Sequence, residues 1–315
     1  MKIVEELAKV KPKKETMFTI GVFDGVHLGH QSLLTHLRDK ARQNGWLSGV
    51  ITFTSHPEMV LVSQSQLPWL DDINNRINQI KKLGIDIVIA LSFTPELRQL
   101  SAQEFVQLLK EHLRLRGLII GPDFALGRDR EGNPEQLRLL GQQMGFSVEM
   151  VPPLVINDEV VSSSLIRQLL AQGNMKKAAK LLGHLFRISG LVVPGDHRGR
   201  ELGFPTANLE LRTDQASPGD GVYVTISYID DKPLPSITNI GVRPTFGGGK
   251  RLVETYIIDH KAQLPGKRLS VEFVDKLRNE RRFGSAEELK AQIGKDVEQA
   301  KAVLREIIPF QKMRQ

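Results

Sequence analysis

Short apolar runs and amphipathic segments alternate through the first half of the chain. The run from Met17 to Ile20 is β-prone, and after a glycine turn Leu33, Leu34 and Leu37 recur at helical spacing. Further apolar runs predict strands at 47–53, 85–91, 117–120 and 146–151, and amphipathic segments predict helices near 73–80, 101–113 and 134–144. Strands that alternate with helices predict an α/β domain with a parallel, doubly wound sheet.

Several of these helix starts carry capping residues. Residues 71–72 are two aspartates directly before the apolar positions of 73–80, and a carboxylate there accepts backbone N–H groups of the first turn. The segments 101–104 and 285–288 both read Ser-Ala-x-Glu, which is the form of a capping box. The second box precedes a long amphipathic segment that reaches Leu304, so we expect a C-terminal helix there.

The pattern changes near residue 184. Before that point, amphipathic segments over 164–170 and 175–182 end at Gly183. After it, turns rich in glycine and proline separate predicted strands at 185–193, 221–229, 236–240, 252–258 and 269–273. This density of short strands predicts a small barrel or a sandwich. We therefore expect two domains, 1–183 and 184–315.

The turn after the first strand has the features of a phosphate site. Gly21 and Gly25 let the chain bend and let a ligand approach the backbone closely, and the N–H groups of the following helix start face an anion. His27 and His30 lie three residues apart and share one helix face. They could instead be a metal pair, but no Glu lies between them and no third ligand has suitable spacing.

Composition narrows the class of protein. The chain has 315 residues, 40% hydrophobic and 25% charged, which is ordinary for about two globular domains. It has no cysteine, which excludes disulfides and thiolate chemistry. Early acidic residues and the lack of any run of about 20 apolar residues predict a cytoplasmic protein without signal peptide or membrane helix. The net charge of +7 favours small phosphate ligands, and we expect no nucleic-acid partner because no RNA-binding aromatic signature is present.

Motifs in both halves of the chain resemble one enzyme family. The first half contains G-x-F-D-G-x-H-x-G-H at 21–30, and the second contains G-F-P-T-A-N at 203–208. Further matching stretches are 52–57, 121–127, 161–167, 195–200, 239–246 and 253–254. Together they resemble the prokaryotic bifunctional riboflavin kinase/FMN adenylyltransferases (FAD synthetases). The resemblance implies an N-terminal nucleotidyltransferase domain with a doubly wound parallel sheet, then a small antiparallel β-barrel riboflavin kinase domain with a C-terminal helix.

The resemblance also implies two successive reactions and their substrates. Riboflavin would be phosphorylated by ATP to FMN, and FMN would then be adenylylated by a second ATP to FAD with release of pyrophosphate. The implied cofactor is Mg²⁺, and the implied partners are small molecules: ATP, riboflavin, FMN and FAD.

For adenylyl transfer, the resemblance implies that His27 and His30 contact the ATP phosphates. Arg167 would hold the same phosphates from the opposite side, since its fork of donors matches phosphate oxygens. The remaining implied ATP-binding positions are Gly21, Phe23, Asp24, Gly25, Gly29, Ser162, Ser163 and Ser164. From the residues alone, the three serines also fit a plain helix N-cap. Asp123 and Phe124 would bind the flavin.

For the kinase reaction, the resemblance assigns the general base to Glu254. Asn208 and Thr206 would bind both ATP and Mg²⁺, a hard ion that prefers oxygen donors. The other implied positions are Gly203 and Pro205 for ATP, and Asn239 and Arg243 for the flavin. From the residues alone, 203–208 reads as a turn before a strand. The stretch 247–251 lacks the spacing of a P-loop and reads as a hairpin turn.

Some positions depart from the family pattern. Val22 stands where many relatives have Asn, and Ala125-Leu126 replaces a bulkier Arg-Phe pair, which could weaken stacking on the flavin ring by about 1 kcal/mol. Tyr256 stands where a histidine is usual, and 259–266 also differs.

These departures leave two alternatives open. One is a riboflavin kinase whose adenylyltransferase half is weakened or lost. The other is a flavin-sensing or RNA-binding regulator on the same fold, against which the presence of His27, His30, Arg167 and Glu254 argues, because a binder needs no base.

Overall fold

The computed structural model describes residues 2–55, 67–194, 198–243, 250–260 and 265–307. Contacts divide the chain into two compact units, Met1–Ser163 and Ser164–Gln315. Parts of the sequence motifs lie outside the described residues, namely His56, Pro57, 195–197, 244–249 and 263–264. Within the described ranges, no helix is long and apolar enough to cross a membrane.

The first unit contains a five-stranded parallel sheet. Its strands are β1 (Thr16–Ile20), β2 (Leu47–Phe53), β3 (Ile87–Leu91), β4 (Leu115–Ile120) and β5 (Ser147–Met150). The described helices are α1 (Lys2–Ala8), α2 (Leu28–Gln43), α3 (Ile73–Lys82), α4 (Pro95–Gln99), α5 (Ala102–Leu113) and α6 (Pro134–Met144). A short hairpin of β6 (Val155–Ile156) and β7 (Glu159–Val160) ends the unit.

The strand order is β3-β2-β1-β4-β5. The chain moves outward from β1 to β3 and then returns to β4 on the other side of β1. The carboxyl ends of β1 and β4 therefore flank a topological switch point, where open α/β sheets bind ligands. Strand β1 is buried along its whole length, with Phe18 in one apolar cluster and Met17 in another. The predicted doubly wound sheet is confirmed.

The helix caps predicted for this unit are present. Asp72 precedes α3 and accepts the N–H of Asn75 (2.8 Å). Ser101 accepts the N–H of Glu104 (3.1 Å), and the Glu104 carboxylate accepts the N–H of Ser101 (2.7 Å), which completes the capping box. Asp71, which we had paired with Asp72 as a cap, has a different role described below.

The second unit contains a closed antiparallel barrel, which decides between the barrel and the sandwich. Its strands are β8 (Phe186–Val193), β9 (Thr206–Glu210), β10 (Gly221–Ile229), β11 (Lys232–Arg243), β12 (Lys250–Ile257) and β13 (Arg268–Arg278). Their order round the barrel is β10-β11-β12-β9-β8-β13. The described helices are α7 (Ser163–Ala171), α8 (Met175–Leu182), α9 (Arg198–Glu201) and α10 (Ala286–Ile307).

Side chains alternate between the inside and the outside of the barrel. Buried hydroxyls face inward, and Thr225 is hydrogen-bonded to Ser236 (2.8 Å) and to Thr238 (2.9 Å), which in turn meets Thr255 (3.0 Å). Outside, α10 packs against apolar residues of β10, β11 and β13. The polar positions of β9, β12 and the end of β11 also lie on the outer face.

The start of α10 differs from the predicted capping box. The Ser285 side chain accepts the N–H of Glu288 (3.2 Å), as expected. The Glu288 carboxylate accepts the N–H of Gly284 rather than that of Ser285, so only half of the box forms.

The contacts divide the chain between Ser163 and Ser164, not after Gly183 as we expected. Helix α8 packs against β8 and β13, and the carbonyl of Leu170 on α7 accepts the N–H of Gly219 (2.9 Å). The two amphipathic helices thus pack with the barrel. The 183/184 boundary between functional domains stays a prediction.

Candidate active sites

The turn after β1 follows a strained path. The N–H of Gly21 still donates to the carbonyl of Ile51 on β2 (3.0 Å). Phe23, Gly25 and Val26 then have positive φ angles of 51°, 75° and 38°. Such angles suit glycine but cost free energy for a bulky or β-branched residue, and they persist only where surrounding contacts impose them.

Two buried carboxylates and one buried guanidinium provide such contacts. Asp24 accepts the N–H of Leu70 at Oδ1 (2.9 Å), and Asp71 accepts the N–H of Gly25 at Oδ2 (3.1 Å). Arg76 donates Nε and Nη2 to Oδ1 of Asp71 (3.0 and 2.8 Å), and its Nη2 lies 3.5 Å from Oδ1 of Asp24. We call Asp24, Asp71 and Arg76 the buried charge cluster. It ties the turn to the start of α3.

The surroundings of Arg76 complete the cluster. Its guanidinium lies 4.2 Å from the centre of the Trp69 ring and donates to the carbonyl of Phe53 at the end of β2 (3.3 Å). Burial raises the pKa of Asp71 to about 7; the neighbouring Asp24 also raises it, and Arg76 opposes them. With two carboxyls and one guanidinium, protonation of one carboxyl balances the charge of the cluster.

The two histidines begin α2 and face each other. His27 is the N-cap, and its Nδ1 accepts the N–H of His30 (3.3 Å). The two rings are stacked with centroids 3.6 Å apart, and the edge of Phe23 meets His30 with centroids 5.2 Å apart. Nδ1 of His27 is thus bound to the backbone of the first turn of α2.

His30 is held in its neutral form. Desolvation lowers its pKa well below the usual value, and the nearby His27 and Arg76 lower it further. Among the described residues, Nδ1 of His30 is buried and has no hydrogen-bond partner. A buried polar atom of this kind costs free energy unless a partner arrives, so a ligand that supplies one is favoured.

Gly29 makes room for the His27 ring. A Cβ at this position would lie 3.1 Å from Nδ1 and Cε1 of His27 and 3.2 Å from the carbonyl oxygen of Val161. A larger residue would therefore push the imidazole away from the helix start. This places a spatial requirement on Gly29, one of the positions predicted to bind ATP.

The serine motif begins α7. Ser163 donates its hydroxyl to the carbonyl of Asp24 in the turn after β1 (3.0 Å), and both residues belong to the first unit. Ser164 and Arg167 follow on α7, which falls in the second unit. The contact of Arg167 with the same phosphates as the histidines therefore stays a prediction.

The loop after β4 lies on the other side of the switch point. Asp123 is exposed, and its carbonyl accepts Nη2 of Arg130 (3.2 Å). Phe124 packs against the apolar core, and Leu126 is buried within it. The expected effect of Ala125-Leu126 on flavin stacking stays a prediction.

In the second unit, three predicted site residues lie in one row across the barrel. Glu254 on β12 is directly opposite Asn208 on β9 and directly opposite Asn239 on β11. Directly opposite residues have Cβ atoms about 5 Å apart and share a face. All three are half-buried, whereas neighbouring Val253 and Ala207 are buried inside. The row therefore lies on the outer face.

The next row is formed by Thr206 and Tyr256, which are also directly opposite each other. The loop before Thr206 is closed by a hydrogen bond from the N–H of Phe204 to the carbonyl of Gly199 (2.7 Å). Gly203 has a φ of 90°, a conformation that favours glycine. Phe204 meets the Tyr256 ring edge-on at 5.4 Å. Tyr256 thus packs against the loop.

The remaining predicted positions are placed only in part. Pro205 is exposed in the closed loop, and Arg243 ends β11, with its side chain outside the described part of the structure.

Sequence reasoning missed the buried charge cluster as a unit. Arg76 lies three residues after Ile73 and four before Ile80, so it occupies the apolar stripe of α3. An arginine in that stripe must find buried partners, which is the signal that could have revealed it.

Comparisons with known proteins agree with this arrangement. Residues 9–165 match a family model described as FAD synthetase, and residues 182–304 match one described as riboflavin kinase. A bifunctional riboflavin kinase/FMN adenylyltransferase from Escherichia coli K12 is 39% identical over 90% of this chain and 91% of its own length. The protein of the same name from Pseudomonas fluorescens is 38% identical over 96% and 98%.

A solved structure shows the same fold. The crystal structure of a protein described as a macrolide-efflux protein from Streptococcus pneumoniae has a TM-score of 0.87 and 29% identity, covering 94% of this chain and 97% of that one.

Proposed function

Because the chain belongs to the family of bifunctional riboflavin kinase/FMN adenylyltransferases, we propose that it carries out both reactions in succession. Riboflavin and ATP give FMN and ADP, and FMN and a second ATP give FAD and pyrophosphate. The observation that carries the kinase step is the row of Asn208, Glu254 and Asn239 on one barrel face. The observation that carries the adenylyl step is the histidine pair at the switch point of the sheet.

In the kinase step, Glu254 acts as general base. The 5′-hydroxyl of riboflavin attacks the γ-phosphorus of ATP, its proton passes to the carboxylate, and ADP leaves. A carboxylate on a half-buried strand position can reach a bound hydroxyl. Asn239 and Arg243, on the neighbouring strand, bind the flavin.

Thr206 and Asn208 are the proposed Mg²⁺ ligands. They are two residues apart on β9 and therefore share its outer face with Glu254. Their hydroxyl and amide oxygens are hard donors that fit Mg²⁺, which usually takes few protein ligands and completes its shell with waters and phosphates. When bound, the ion neutralises charge on the transferring phosphoryl group.

In the adenylyl step, the phosphate of FMN attacks the α-phosphorus of ATP and pyrophosphate leaves. The attacking group is already an anion, so the site has to align and neutralise phosphates rather than remove a proton. His27 and His30 contact the phosphates, and the first N–H groups of α2 add to this field. The other proposed phosphate contacts are Ser162, which precedes α7, and Ser163, Ser164 and Arg167, which lie on it.

The other predicted positions of this site have supporting or flanking roles. Asp24 and Gly25 shape the turn through the buried charge cluster, and Gly21, Phe23 and Gly29 position the two rings. Asp123 and Phe124, in the loop after β4, bind the flavin on the opposite side of the switch point. We place both reactions in the cytoplasm.

One experiment tests the proposal and separates it from its alternatives. Purified protein is incubated with riboflavin, ATP and Mg²⁺, and in a second reaction with FMN, ATP and Mg²⁺, while FMN and FAD are followed by chromatography. The bifunctional enzyme forms FMN and FAD in the first and FAD in the second. A kinase with a lost adenylyltransferase half forms FMN only, and a regulator forms neither.

A further inference from the structure

A carboxylate from outside the sequence motifs lies against the proposed kinase site. Glu280 follows β13, and its carboxylate occupies the space beside Gly241, where a Cβ would overlap with it. Gly241 lies two residues after Asn239 on β11, so both face the same side of the strand. The absence of a side chain at Gly241 therefore lets Glu280 reach the flavin-side amide.

Glu280 decides which way that amide points. Oε1 of Glu280 accepts a hydrogen bond from Nδ2 of Asn239 at 3.1 Å. An ionised carboxylate can only accept, so the NH₂ group of Asn239 must face Glu280 and the carbonyl oxygen must face elsewhere. The amide of Asn239 is thereby presented as a hydrogen-bond acceptor, which suits a ligand hydroxyl group.

The direction matters because Asn239 is directly opposite Glu254. We propose that Glu280 is a positioning residue of the kinase site, which orients the Asn239 amide so that its oxygen accepts a hydroxyl of riboflavin beside the base. The proposal deepens the proposed kinase function and rests on it. Glu280 touches neither reacting atom and acts through Asn239.

The test is a set of steady-state measurements of FMN formation on full-length variants. Glu280→Ala frees the amide to rotate, so we expect the KM for riboflavin to rise about tenfold while kcat and the KM for ATP change less than about twofold. Glu280→Gln keeps an oxygen that accepts the same N–H, so it should restore most of the affinity. In an Asn239→Ala background, Glu280→Ala should add nothing, because both changes remove one interaction.

Two controls separate this role from folding and from the proposed function itself. Glu298→Ala removes an exposed carboxylate of the same unit, which pairs with Lys301, and should leave the KM for riboflavin unchanged. FAD formation from supplied FMN, measured on each variant, reports damage beyond the kinase site. An unchanged KM in Glu280→Ala, additive effects with Asn239→Ala, or equal losses in both Glu280 variants would overturn the proposal. Unmodified protein that forms no FMN would instead refute the proposed function.

Discussion

In the first unit the turn after β1 rests on buried charges, whereas in the second unit the proposed catalytic carboxylate lies on the outer face of a strand. The turn has positive φ angles at Phe23 and Val26 and is held through Asp24, Asp71 and Arg76. Strand pairing places Glu254 directly opposite Asn208 and Asn239 on the outer face of the barrel.

The turn and the barrel row should respond differently to substitutions. Removing one member of a buried charge set leaves the others desolvated and unpaired, so the whole region is destabilised. Replacing an outward-facing strand residue leaves the ladder of backbone hydrogen bonds intact. We therefore expect changes in the barrel row to affect chemistry alone, and changes under the turn to affect folding and chemistry together.

The largest expected effect is on the barrel side. Glu254→Gln keeps the shape but removes the base, so FMN formation should fall by about 10²- to 10⁴-fold. FAD formation from supplied FMN and the free energy of unfolding should stay close to those of the unmodified protein. Loss of both activities in a folded variant would contradict the two-site arrangement.

The corresponding change under the turn is Arg76→Met. It leaves Asp24 and Asp71 buried without their cation, and the free energy of unfolding should fall by about 3–5 kcal/mol. Denaturant titration followed by circular dichroism measures this. Arg38→Met is a matched control, since Arg38 is partly exposed and pairs with Asp39 at the surface, and it should cost less than about 1 kcal/mol. If the two variants were equally stable, the buried charge cluster would not be what stabilises the turn.

His30→Ala tests the chemistry of the turn apart from its support. The imidazole is a neutral donor, so its loss should slow FAD formation from FMN by about 10²-fold. Riboflavin phosphorylation should continue at the unmodified rate. If FAD formation were unaffected, the ring would have a packing role against Phe23 only.

Gly29→Ala should have a smaller effect. Its Cβ would lie 3.1 Å from the His27 ring, so the ring must shift by a few tenths of an ångström. We expect FAD formation to slow by about tenfold, because small misplacements of aligned groups are costly. The free energy of unfolding should change by less than about 1 kcal/mol, because the higher helix propensity of alanine offsets part of the cost of the close contact. A variant with unmodified rates would show that the His27 position is not critical.

Local signals in the sequence predicted much of the fold. The caps at Asp72 and Ser101 and the order of strands and helices follow from patterns that each lie within a short stretch of sequence. The pairing of β9 with β12 does not, because nothing near Asn208 in sequence specifies that Glu254 lies opposite. From the residues alone, 203–208 reads as a turn before a strand, and β9 begins within that stretch at Thr206.

The supporting residues were harder to predict than the motif residues. Arg76 and Asp71 lie on α3 and its start, far in sequence from the turn that they hold, and their roles depend on which buried groups meet after folding. Glu280 shows the same limit in the barrel, since its contact with Asn239 joins two distant segments. Motif residues reveal the chemistry, but their partners are determined by tertiary contacts.

The last prediction concerns the pH dependence of stability. Burial raises the pKa of Asp71 from an ordinary 3.8 to about 7, so the folded state keeps a proton that the unfolded chain releases. The stability from this group is therefore complete below about pH 4, declines as the pH rises, and is lost above about pH 7. Asp71→Asn removes this titration, and its free energy of unfolding should fall less steeply across that range.

The measurement is a denaturant titration at several pH values from about 4 to 8, with Asp39→Asn as the control because Asp39 is an exposed carboxylate. Asp71→Asn should reduce the slope of the free energy of unfolding against pH. The missing part of the slope reports Asp71 and Asp24 together, since both carboxyls lie against Arg76. A variant that keeps the unmodified slope would mean that Arg76 holds both carboxylates ionised. The turn would then be held by a buried cluster with a net negative charge. Its dependence on buried charges would set it apart from the barrel row even more than the geometry indicates.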